Sequence, residues 1–358
     1  MSASYDIVCL VSNDITYDRR MIRICSALAE TGKSVLLIGR QLPSSEPLGK
    51  WPFDTDRVVC KYYHGPMFYA ELIWRFKKYL QKVDFSNLVV TDLDTIAVAR
   101  SYKSSKVKVF CDLHEYFEET PELIGKPIKK WMWSKLSRLS ISSIDVIYTV
   151  NQSLADIFSI NYNREVSVIR NLPDPLKLQG QPASLPLKTV YLGVLNPGRG
   201  LEAIIQAIKQ REDVMLTIIG DGPLKKDLER LARDSTRISF KGALLPDQLS
   251  DELTQHHLGW NVLDDTSKSY YYSLANKFYD YLNHGLPTLT MDFPEYRNVI
   301  EAYDCGMLLK DASVAVINDT LSLITADLGQ VKRWQSNCPL VITDHNWSLE
   351  SKKLLSLF

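Results

Sequence analysis

The chain of 358 residues is longer than one ordinary domain of about 100–200 residues and predicts two. Hydrophobic residues make up 45% and charged residues 23% of the sequence, which excludes a disordered, collagen-like or coiled-coil protein. Basic and acidic side chains both number 42, so the formal net charge is zero, whereas nucleic-acid-binding proteins normally carry a basic excess. We therefore expect a two-domain globular protein that does not bind nucleic acid.

The first half of the chain alternates short apolar runs with segments of helical periodicity. Runs rich in β-branched residues predict strands, and apolar residues spaced three and four apart predict helices. Strands separated by helices indicate an α/β fold with βαβ units and a mostly parallel sheet. The predicted strands are 5–11, 34–38, 87–91, 106–113, 146–150 and 166–169, and the predicted helices are 19–30, 69–81 and 128–140.

Polar residues follow four of these strands. Each residue alone is explained by a helix cap or a turn, but parallel strands end at one edge of a sheet, where ligands bind. Together they indicate a binding site at that edge. They are Asn13, Asp18 and Arg19 after the first strand, Asp92 and Asp94 after the third, His114 and Glu115 after the fourth, and Asn151 after the fifth.

Residues 171–188 contain four prolines and little periodicity, a composition typical of a link between domains. The alternation then resumes. We predict an N-terminal domain over 1–172, a linker over 173–188, a second domain over 189–335 and a C-terminal segment over 336–358, with a ligand-binding cleft between the domains. The predicted strands of this half are 189–195, 214–219, 238–240, 258–262 and 288–291, and the helices are 200–210, 223–233, 246–255, 274–284 and 295–302.

A glycine-containing turn follows the first strand of the second half. Gly198 and Gly200 flank Arg199 just before a predicted helix, so backbone N–H groups, the helix dipole and a guanidinium could bind one anion. A second turn, Gly220 to Gly222, follows the next strand, and there a purely structural turn explains the glycines equally well.

The predicted helix 274–284 carries a polar strip of Lys277, Asp280 and His284. One interpretation is a solvated face with a Lys–Asp pair that contributes about 0.2–0.5 kcal/mol. The other starts from the position of Lys277 in the first turn, where the helix dipole disfavours a cation unless an anion shares the site. Asp280, one turn further on, could then accept hydrogen bonds from the vicinal hydroxyls of a sugar.

Residues 126–138 combine five basic residues with two tryptophans and a methionine, and residues 75–82 add four basic residues. Such helices can lie on an anionic membrane surface, although tryptophans packed inward beside solvated lysines would give the same pattern. No apolar run reaches the roughly 18 residues of a membrane-spanning helix, and no signal peptide is recognised. The six cysteines are scattered, which favours reduced structural thiols. We expect a cytoplasmic protein, peripheral at the inner face of the membrane.

Ordered motifs in both halves resemble glycosyltransferase family 4. In the second half they are VYLGVLNPGRGLEAIIQAI, IIGDGPLKKDLERLA and SLANKFYDYLNHGLPTLTMDFPEYRNVI, and in the first half YDRRMIRICSALAETGKSVLLI, VVTDLDTIAVA, VFCDLHEYF and VIYTVNQSLADIF. The resemblance implies the GT-B fold, in which two Rossmann-like domains face a central cleft and a C-terminal helix crosses back to the first domain. It implies a retaining transferase that moves a sugar from a nucleoside-diphosphate sugar to a hydroxyl of a saccharide or lipid-linked saccharide, in cell-surface polysaccharide biosynthesis.

The resemblance also implies roles for individual residues and no obligatory metal or other cofactor. Arg199, Lys277 and Gly198 match the positions that hold the donor diphosphate, and Asp280 matches the carboxylate that binds the nucleotide ribose. His114 and Glu115 match catalytic positions near the transferred sugar. The remaining cleft positions, for donor or acceptor, are Asn13, Asp18, Arg19, Asp92, Asp94, Asn151, Tyr272 and Asn276.

Three departures from the family pattern are visible. Val194 stands where many members carry a first diphosphate-binding cation, Tyr272 replaces the first glutamate of the family's Glu-x7-Glu pattern, and Ala275 replaces a proline. Two other functions therefore remain open: a nucleotide-sugar epimerase of the same fold, and a non-catalytic donor-binding scaffold of a polysaccharide-assembly complex.

Overall fold

The computed structural model describes residues 3–103, 105–176 and 180–358. The chain divides into two compact units. The first comprises Met1–Asn171 together with Glu350–Phe358, and the second comprises Leu172–Leu349.

The described residues of the first unit form a seven-stranded, entirely parallel sheet of order β3-β2-β1-β4-β5-β6-β7. Its strands are β1 (Ala3–Leu10), β2 (Val35–Gln41), β3 (Asp54–Val59), β4 (Val83–Thr91), β5 (Lys108–Leu113), β6 (Val146–Thr149) and β7 (Ser167–Val168). Its helices are α1 (Arg19–Ala29), α2 (Pro66–Leu80), α3 (Asp92–Thr95), α4 (Pro127–Ile141) and α5 (Gln152–Tyr162), with 3-10 turns at Ile15–Tyr17, Ile96–Tyr102, Phe117–Glu119 and Pro121–Leu123.

The second unit contains a six-stranded parallel sheet of order β10-β9-β8-β11-β12-β13 within the described residues. Its strands are β8 (Leu187–Leu192), β9 (Val214–Ile219), β10 (Ile238–Gly242), β11 (Leu258–Asn261), β12 (Thr288–Met291) and β13 (Gly306–Leu309). Its helices are α6 (Leu201–Lys209), α7 (Lys225–Ala232), α8 (Pro246–Leu253), α9 (Lys268–Tyr271), α10 (Asn276–Asn283), α11 (Pro294–Tyr303), α12 (Val314–Ala326) and α13 (Leu328–Asp344). A last helix, α14 (Trp347–Leu355), begins in the second unit and ends in the first.

Local chemistry explains where these elements begin and end. The side chain of Asp18 accepts a hydrogen bond of 2.9 Å from the Met21 N–H and so caps α1, whose Met21, Ile24 and Leu28 are buried. Strand β8 ends at Leu192 rather than at the predicted Leu195, because Gly193 adopts a φ of +138° that strand backbone does not allow. Edge strand β3 has the polar sequence DTDRVV and was not predicted, since half-exposed edge strands lack an apolar run.

The described residues of the segment predicted as a linker, 173–176 and 180–188, belong to the second unit, and residues 177–179 lie outside the described ranges. Ala183, and Leu172 just before the predicted linker, are buried in the core of the second unit, and the Gln181 N–H donates to the Thr254 carbonyl at 3.2 Å. The predicted C-terminal segment also divides differently: residues 336–344 lie in α13, and Trp334, Cys338 and Val341 of that helix belong to the core of the second unit. Apolar burial holds both segments, and proline content alone does not reveal it.

Residues 350–358 complete the first unit. The Phe358 ring stacks on Phe110 of β5 with centroids 3.9 Å apart and an interplanar angle of 5°. Lys33 donates to the Phe358 carbonyl at 3.4 Å, and Lys108 donates to the Leu357 carbonyl at 2.9 Å. Aromatic stacking and two charged donors thus fix the returning segment.

We expect Phe358→Ala to lower the unfolding free energy of the first unit by about 1–3 kcal/mol, because the variant loses apolar burial and the stacked pair. Urea denaturation gives the value. Ile160→Ala, at a residue 81% exposed, should change it by less than about 0.5 kcal/mol. Equal midpoints for Phe358→Ala and the parent would contradict the anchoring role.

None of the helices within the described ranges has the length and apolarity needed to cross a membrane. The six cysteines, all in those ranges, are buried and form no disulfide.

Candidate active site

The turn after β8 requires glycine at two positions. Gly198 has a φ of +80°, and a Cβ there would lie 2.7 Å from a carboxylate oxygen of Asp264. Gly200, with a φ of +66°, is the N-cap residue of α6, and a Cβ there would lie 2.3 Å from Val262. The left-handed backbone and these close approaches place Arg199 directly before the N-cap of α6, next to the positive end of the helix dipole.

Lys277 lies in the first turn of α10 and is only 8% exposed. Among the described residues its ammonium nitrogen has no hydrogen-bond partner, and it lies 3.9 Å from the centroid of the Tyr191 ring. Burial lowers the pKa of Lys277 well below its ordinary value, and the nearby charge of Arg199 lowers it further. An anion bound beside Lys277 would offset both effects and favour its charged form.

Arg199 is the second cation at this edge of the sheet. Its guanidinium lies 5.0 Å from the centroid of the Tyr270 ring, and its Nε is buried without a hydrogen-bond partner in the described part of the chain. Neither Arg199 nor Lys277 forms an ion pair with a carboxylate of the described residues. Two cations without a carboxylate partner next to helix N-termini form a candidate anion site.

The polar strip of α10 is buried, so the interpretation of a solvated Lys–Asp face is wrong. Lys277, Asp280 and His284 are all less than a tenth exposed. The Asp280 carbonyl accepts a hydrogen bond from His284 Nδ1 at 2.6 Å, which makes Nε2 the acceptor for the Ser250 hydroxyl at 3.1 Å. His284 therefore fixes the end of α10.

The structure shows the contacts of the three residues that depart from the family pattern, Val194, Tyr272 and Ala275. The Ala275 N–H donates to the Tyr296 hydroxyl at 3.0 Å, a hydrogen bond that a proline could not make. Val194 is 56% exposed, and its carbonyl accepts the Tyr191 hydroxyl at 3.1 Å. Tyr272 follows α9, with its ring 5.0 Å from that of Tyr271. Asn276, the first residue of α10, is exposed.

The first unit has its own charged cluster where its strands end. His114, directly after β5, places Nε2 2.9 Å from Asp112 and Nδ1 3.5 Å from Asp92. The His114 N–H also donates to Asp92 at 2.7 Å. Burial opposes the positive charge, but Asp112 and Asp92 outweigh it and raise the pKa of His114 to about 9. His114 is therefore a cation at neutral pH with a carboxylate facing each ring nitrogen.

Asp92 and Asp94 share this edge. Burial raises the pKa of Asp92 to about 7 despite His114, and burial raises the pKa of Asp94 to about 6 although the Ser12 hydroxyl donates to its carboxylate. Asp92 has a φ of +52°, a left-handed conformation that a non-glycine residue rarely adopts. Strain and perturbed pKa values of this kind concentrate at functional sites.

A buried ion pair that the sequence did not predict lies behind this cluster. Arg20 on α1 donates to both carboxylate oxygens of Asp112, at 2.9 and 2.7 Å, and to the Ile169 carbonyl at 2.8 Å. Arg20 is 5% exposed and Asp112 is fully buried. Burial would raise the pKa of Asp112, but Arg20 and His114 outweigh burial and lower it. An aspartate inside the apolar run VFCDL was the available signal.

Other predicted positions have structural contacts in this unit. Asp18 and Asn151 cap α1 and α5 through backbone N–H groups at 2.9 and 2.8 Å. Asn13 donates to Asp18 at 3.1 Å. Arg19 and Glu115 are exposed. Among the predicted positions of this unit, the cluster therefore brings together His114, Asp92 and Asp94. Asp18 and Asn151 act as helix caps.

The pKa of His114 predicts a pH dependence. A histidine whose pKa is raised on folding stabilises the fold fully below its unfolded value of about 6.5, and that stability is lost as pH rises through about 9. The melting temperature should therefore fall between pH 6.5 and 9, and less so in His114→Gln. Parallel thermal melts at pH 6, 7.5 and 9 measure the difference, and identical slopes for both proteins would contradict it.

Solved structures share this architecture across the whole chain. Sucrose-phosphate synthase from Thermosynechococcus elongatus has a TM-score of 0.81 at 14% identity, over 99% of this chain and 98% of that one. HepE of Anabaena, solved with UDP and glucose, has a TM-score of 0.76 at 12% identity over 99% of both chains. The lipopolysaccharide outer core galactosyltransferase WaaB has a TM-score of 0.66 at 13% identity over 97% of both. The two parallel-sheet α/β domains are thus those of the GT-B fold.

The second unit can be assigned further. Residues 188–326 match the model of the protein family described as "Glycosyl transferases group 1", so this part of the chain is similar to glycosyltransferases of that group. A search of curated protein sequences gives no significant match.

Proposed function

We propose that this chain is a retaining glycosyltransferase of family 4 that transfers a hexose from a nucleoside-diphosphate sugar to a hydroxyl of a saccharide or lipid-linked saccharide. The observation that carries the proposal is the buried Lys277 ammonium, which has no hydrogen-bond partner in the described residues and lies beside Arg199 at a sheet edge. The glycosyltransferase group 1 match over 188–326 includes both cations.

In the proposed donor site, Arg199, Lys277 and the N–H groups at the start of α6 bind the diphosphate. Asp280 binds the nucleotide ribose, and Tyr272 and Asn276 border the sugar. As the bond between the sugar carbon and the phosphate oxygen breaks, negative charge grows on that oxygen, and the two cations stabilise it. Because they supply positive charge directly, we propose that no metal is obligatory.

The acceptor hydroxyl attacks the same face of the sugar, and its oxygen forms the new bond to the sugar carbon. Its proton passes to the departing phosphate oxygen, so the reaction needs no protein base. We assign His114 and Asp92 in the first unit to orient the acceptor or the transferred sugar. His114 does not act there as a base, because its raised pKa keeps it protonated at neutral pH. Its Nδ1, at 3.5 Å from Asp92, is the ring nitrogen that can donate to a substrate oxygen.

A panel of nucleoside-diphosphate sugars tests this function, with uridine nucleotides first because HepE was solved with UDP-glucose. Thermal stabilisation reports binding, and nucleotide release with and without saccharide acceptors reports transfer. Release that depends on an acceptor supports the transferase. Interconversion of the sugar without an acceptor would instead indicate an epimerase, and binding without turnover would indicate a scaffold.

We further propose that the enzyme is cytoplasmic, acts in cell-surface polysaccharide biosynthesis and docks on an anionic membrane through a basic-aromatic face on α2 and α4. The two helices contact each other, since the rings of Tyr69 and Trp133 lie 4.9 Å apart. Trp133 packs inward, whereas Trp131 is 61% and Ile128 is 74% exposed. We use the name basic-aromatic face for a set of exposed basic and apolar side chains of the two helices, which are Met67, Trp74 and Lys78 on α2 and Ile128, Lys129, Trp131, Met132 and Lys135 on α4.

Charge and apolar surface coincide on this face. The Lys135 ammonium lies 5.0 Å from the Trp131 ring centroid, and the Lys78 ammonium lies 5.1 Å from that of Trp74. Tryptophans at a membrane interface bury an apolar ring while nearby lysines meet anionic headgroups. An enzyme docked on the membrane in this way could reach a lipid-linked acceptor.

We expect the parent protein to cosediment with phosphatidylglycerol vesicles at low salt and less with phosphatidylcholine vesicles. The double variant Ile128→Ser, Trp131→Ser should lose most of this binding. Ile160→Ser, which also removes an exposed isoleucine from the first unit, should keep it. Equal binding by both variants, or no binding by the parent at low salt, would rule out this docking face.

A further inference from the structure

The two cations of the proposed donor site are supported by aromatic rings. Lys277 lies over the Tyr191 ring, with its ammonium 3.9 Å from the centroid, and Arg199 lies 5.0 Å from the Tyr270 centroid. Each cation is thus paired with the face of a tyrosine, and neither ion-pairs with a carboxylate in the described part of the chain. The same arrangement occurs twice at one sheet edge.

The Tyr191 ring is rigidly held. It is 1% exposed at the end of β8, and its hydroxyl donates to the Val194 carbonyl at 3.1 Å. Gly193, between these residues, borders the pair: a Cβ there would make ordinary contacts, 3.7 Å from the Tyr191 hydroxyl and 3.9 Å from the Lys277 ammonium, while its φ of +138° favours glycine. The strand end and its turn therefore fix the ring under the lysine.

A ring stabilises a cation in a way that suits ligand binding. The negative face of an aromatic ring attracts a desolvated ammonium or guanidinium, yet it takes up none of the directed N–H donors. A carboxylate would neutralise the charge and occupy those donors, and it would then compete with the phosphate oxygens. Lys277 without any support would be a buried, unpaired charge, which is costly.

We propose that Tyr191, together with Tyr270, is a positioning residue that holds Lys277 and Arg199 ready for the oxygens of a diphosphate without competing for them. This inference rests on the proposed function and adds the residues that keep the donor site charged before the nucleotide binds. Neither tyrosine is assigned a step in the transfer reaction.

The test compares Tyr191→Leu, which removes the ring, with Tyr191→Phe, which keeps the ring and loses the bond to Val194. Isothermal titration calorimetry measures the dissociation constants of UDP and uridine, or of the nucleotide and nucleoside that stabilise the parent most in the donor panel. Tyr191→Leu should weaken diphosphate binding about tenfold and change nucleoside binding less than about twofold, while Tyr191→Phe stays within about threefold for both.

If Tyr191→Leu does not fold, Tyr270→Leu replaces it, because Tyr270 is only partly buried and its ring supports Arg199. The same two dissociation constants, for the diphosphate and the nucleoside, are then compared with those of the parent. Diphosphate affinity unchanged in the leucine variants would overturn the inference and leave the proposed function standing. An equal loss of diphosphate and nucleoside binding would also overturn it, since a merely structural role affects both. A parent protein that binds no nucleoside diphosphate would refute the proposed function, and this inference with it.

Discussion

Lys277→Met is expected to lower sugar transfer about 100-fold or more while leaving the melting temperature unchanged or raising it. Methionine fills a similar volume, but it removes a cation that would stabilise charge on the leaving diphosphate. The same change relieves the folded protein of a buried ammonium that has no hydrogen-bond partner among the described residues. Stability and activity should therefore move in opposite directions, as they do where a site is strained for its function.

Thermal melts and steady-state transfer rates for the parent, Lys277→Met and Lys225→Met decide this prediction. Lys225 is the matched control, because it also lies in the first turn of a helix of the second unit but is partly solvated and lies 3.0 Å from Asp221. Its variant should resemble the parent in both measurements. Near-parent turnover in Lys277→Met would remove Lys277 from the donor site, and a large drop in its melting temperature would show that the ammonium has a structural partner.

Asp112→Ala is expected to cost about 3–5 kcal/mol of unfolding free energy, because it leaves the Arg20 guanidinium buried without its carboxylate. It also removes one of the two carboxylates that hold His114 charged. The double variant Arg20→Met, Asp112→Leu should recover most of the stability, since an apolar pair can replace a buried ion pair at little cost.

Denaturant titrations of the single and double variants measure these differences, with Asp221→Ala as the comparison. Asp221 is 61% exposed and its pair with Lys225 should be worth less than about 1 kcal/mol. If the double variant is as unstable as Asp112→Ala, the loss comes from His114 or from packing rather than from the orphaned arginine. If Asp112→Ala is as stable as the parent, the pair of Arg20 and Asp112 does not contribute to the unfolding free energy.

Local patterns predicted the parts of this protein that depend on local physics. Short apolar runs separated by helical segments predicted the parallel sheets, because a strand that is buried on both faces consists of a nearly continuous apolar run. The position of Lys277 in a first helical turn predicts an anion site, since the dipole acts over that turn alone, and this site stays a prediction. Buried contacts between distant residues were not accessible. Arg20 and Asp112 are 92 positions apart, and no spacing rule joins them.

The sequence also could not predict which tryptophan of α4 is buried and which is exposed. Composition could not distinguish an inward from an outward ring, because a helix with basic residues all around has no clear apolar arc. The structure assigns one tryptophan to each role: Trp133 contacts Phe117 and Tyr69, and Trp131 is exposed. The ring pairs that support Lys277 and Arg199 were equally invisible, since each joins a residue near β8 to one on another element.

The chain passes between the units twice, after Asn171 and again after Leu349. A single break at the first passage would therefore yield two pieces, the second of which still carries residues 350–358. That short tail belongs to the unit made mostly by the other piece and stacks Phe358 on Phe110 there. Separately expressed halves should consequently recognise each other, as in split-protein complementation, and removal of the last nine residues should abolish their reassembly.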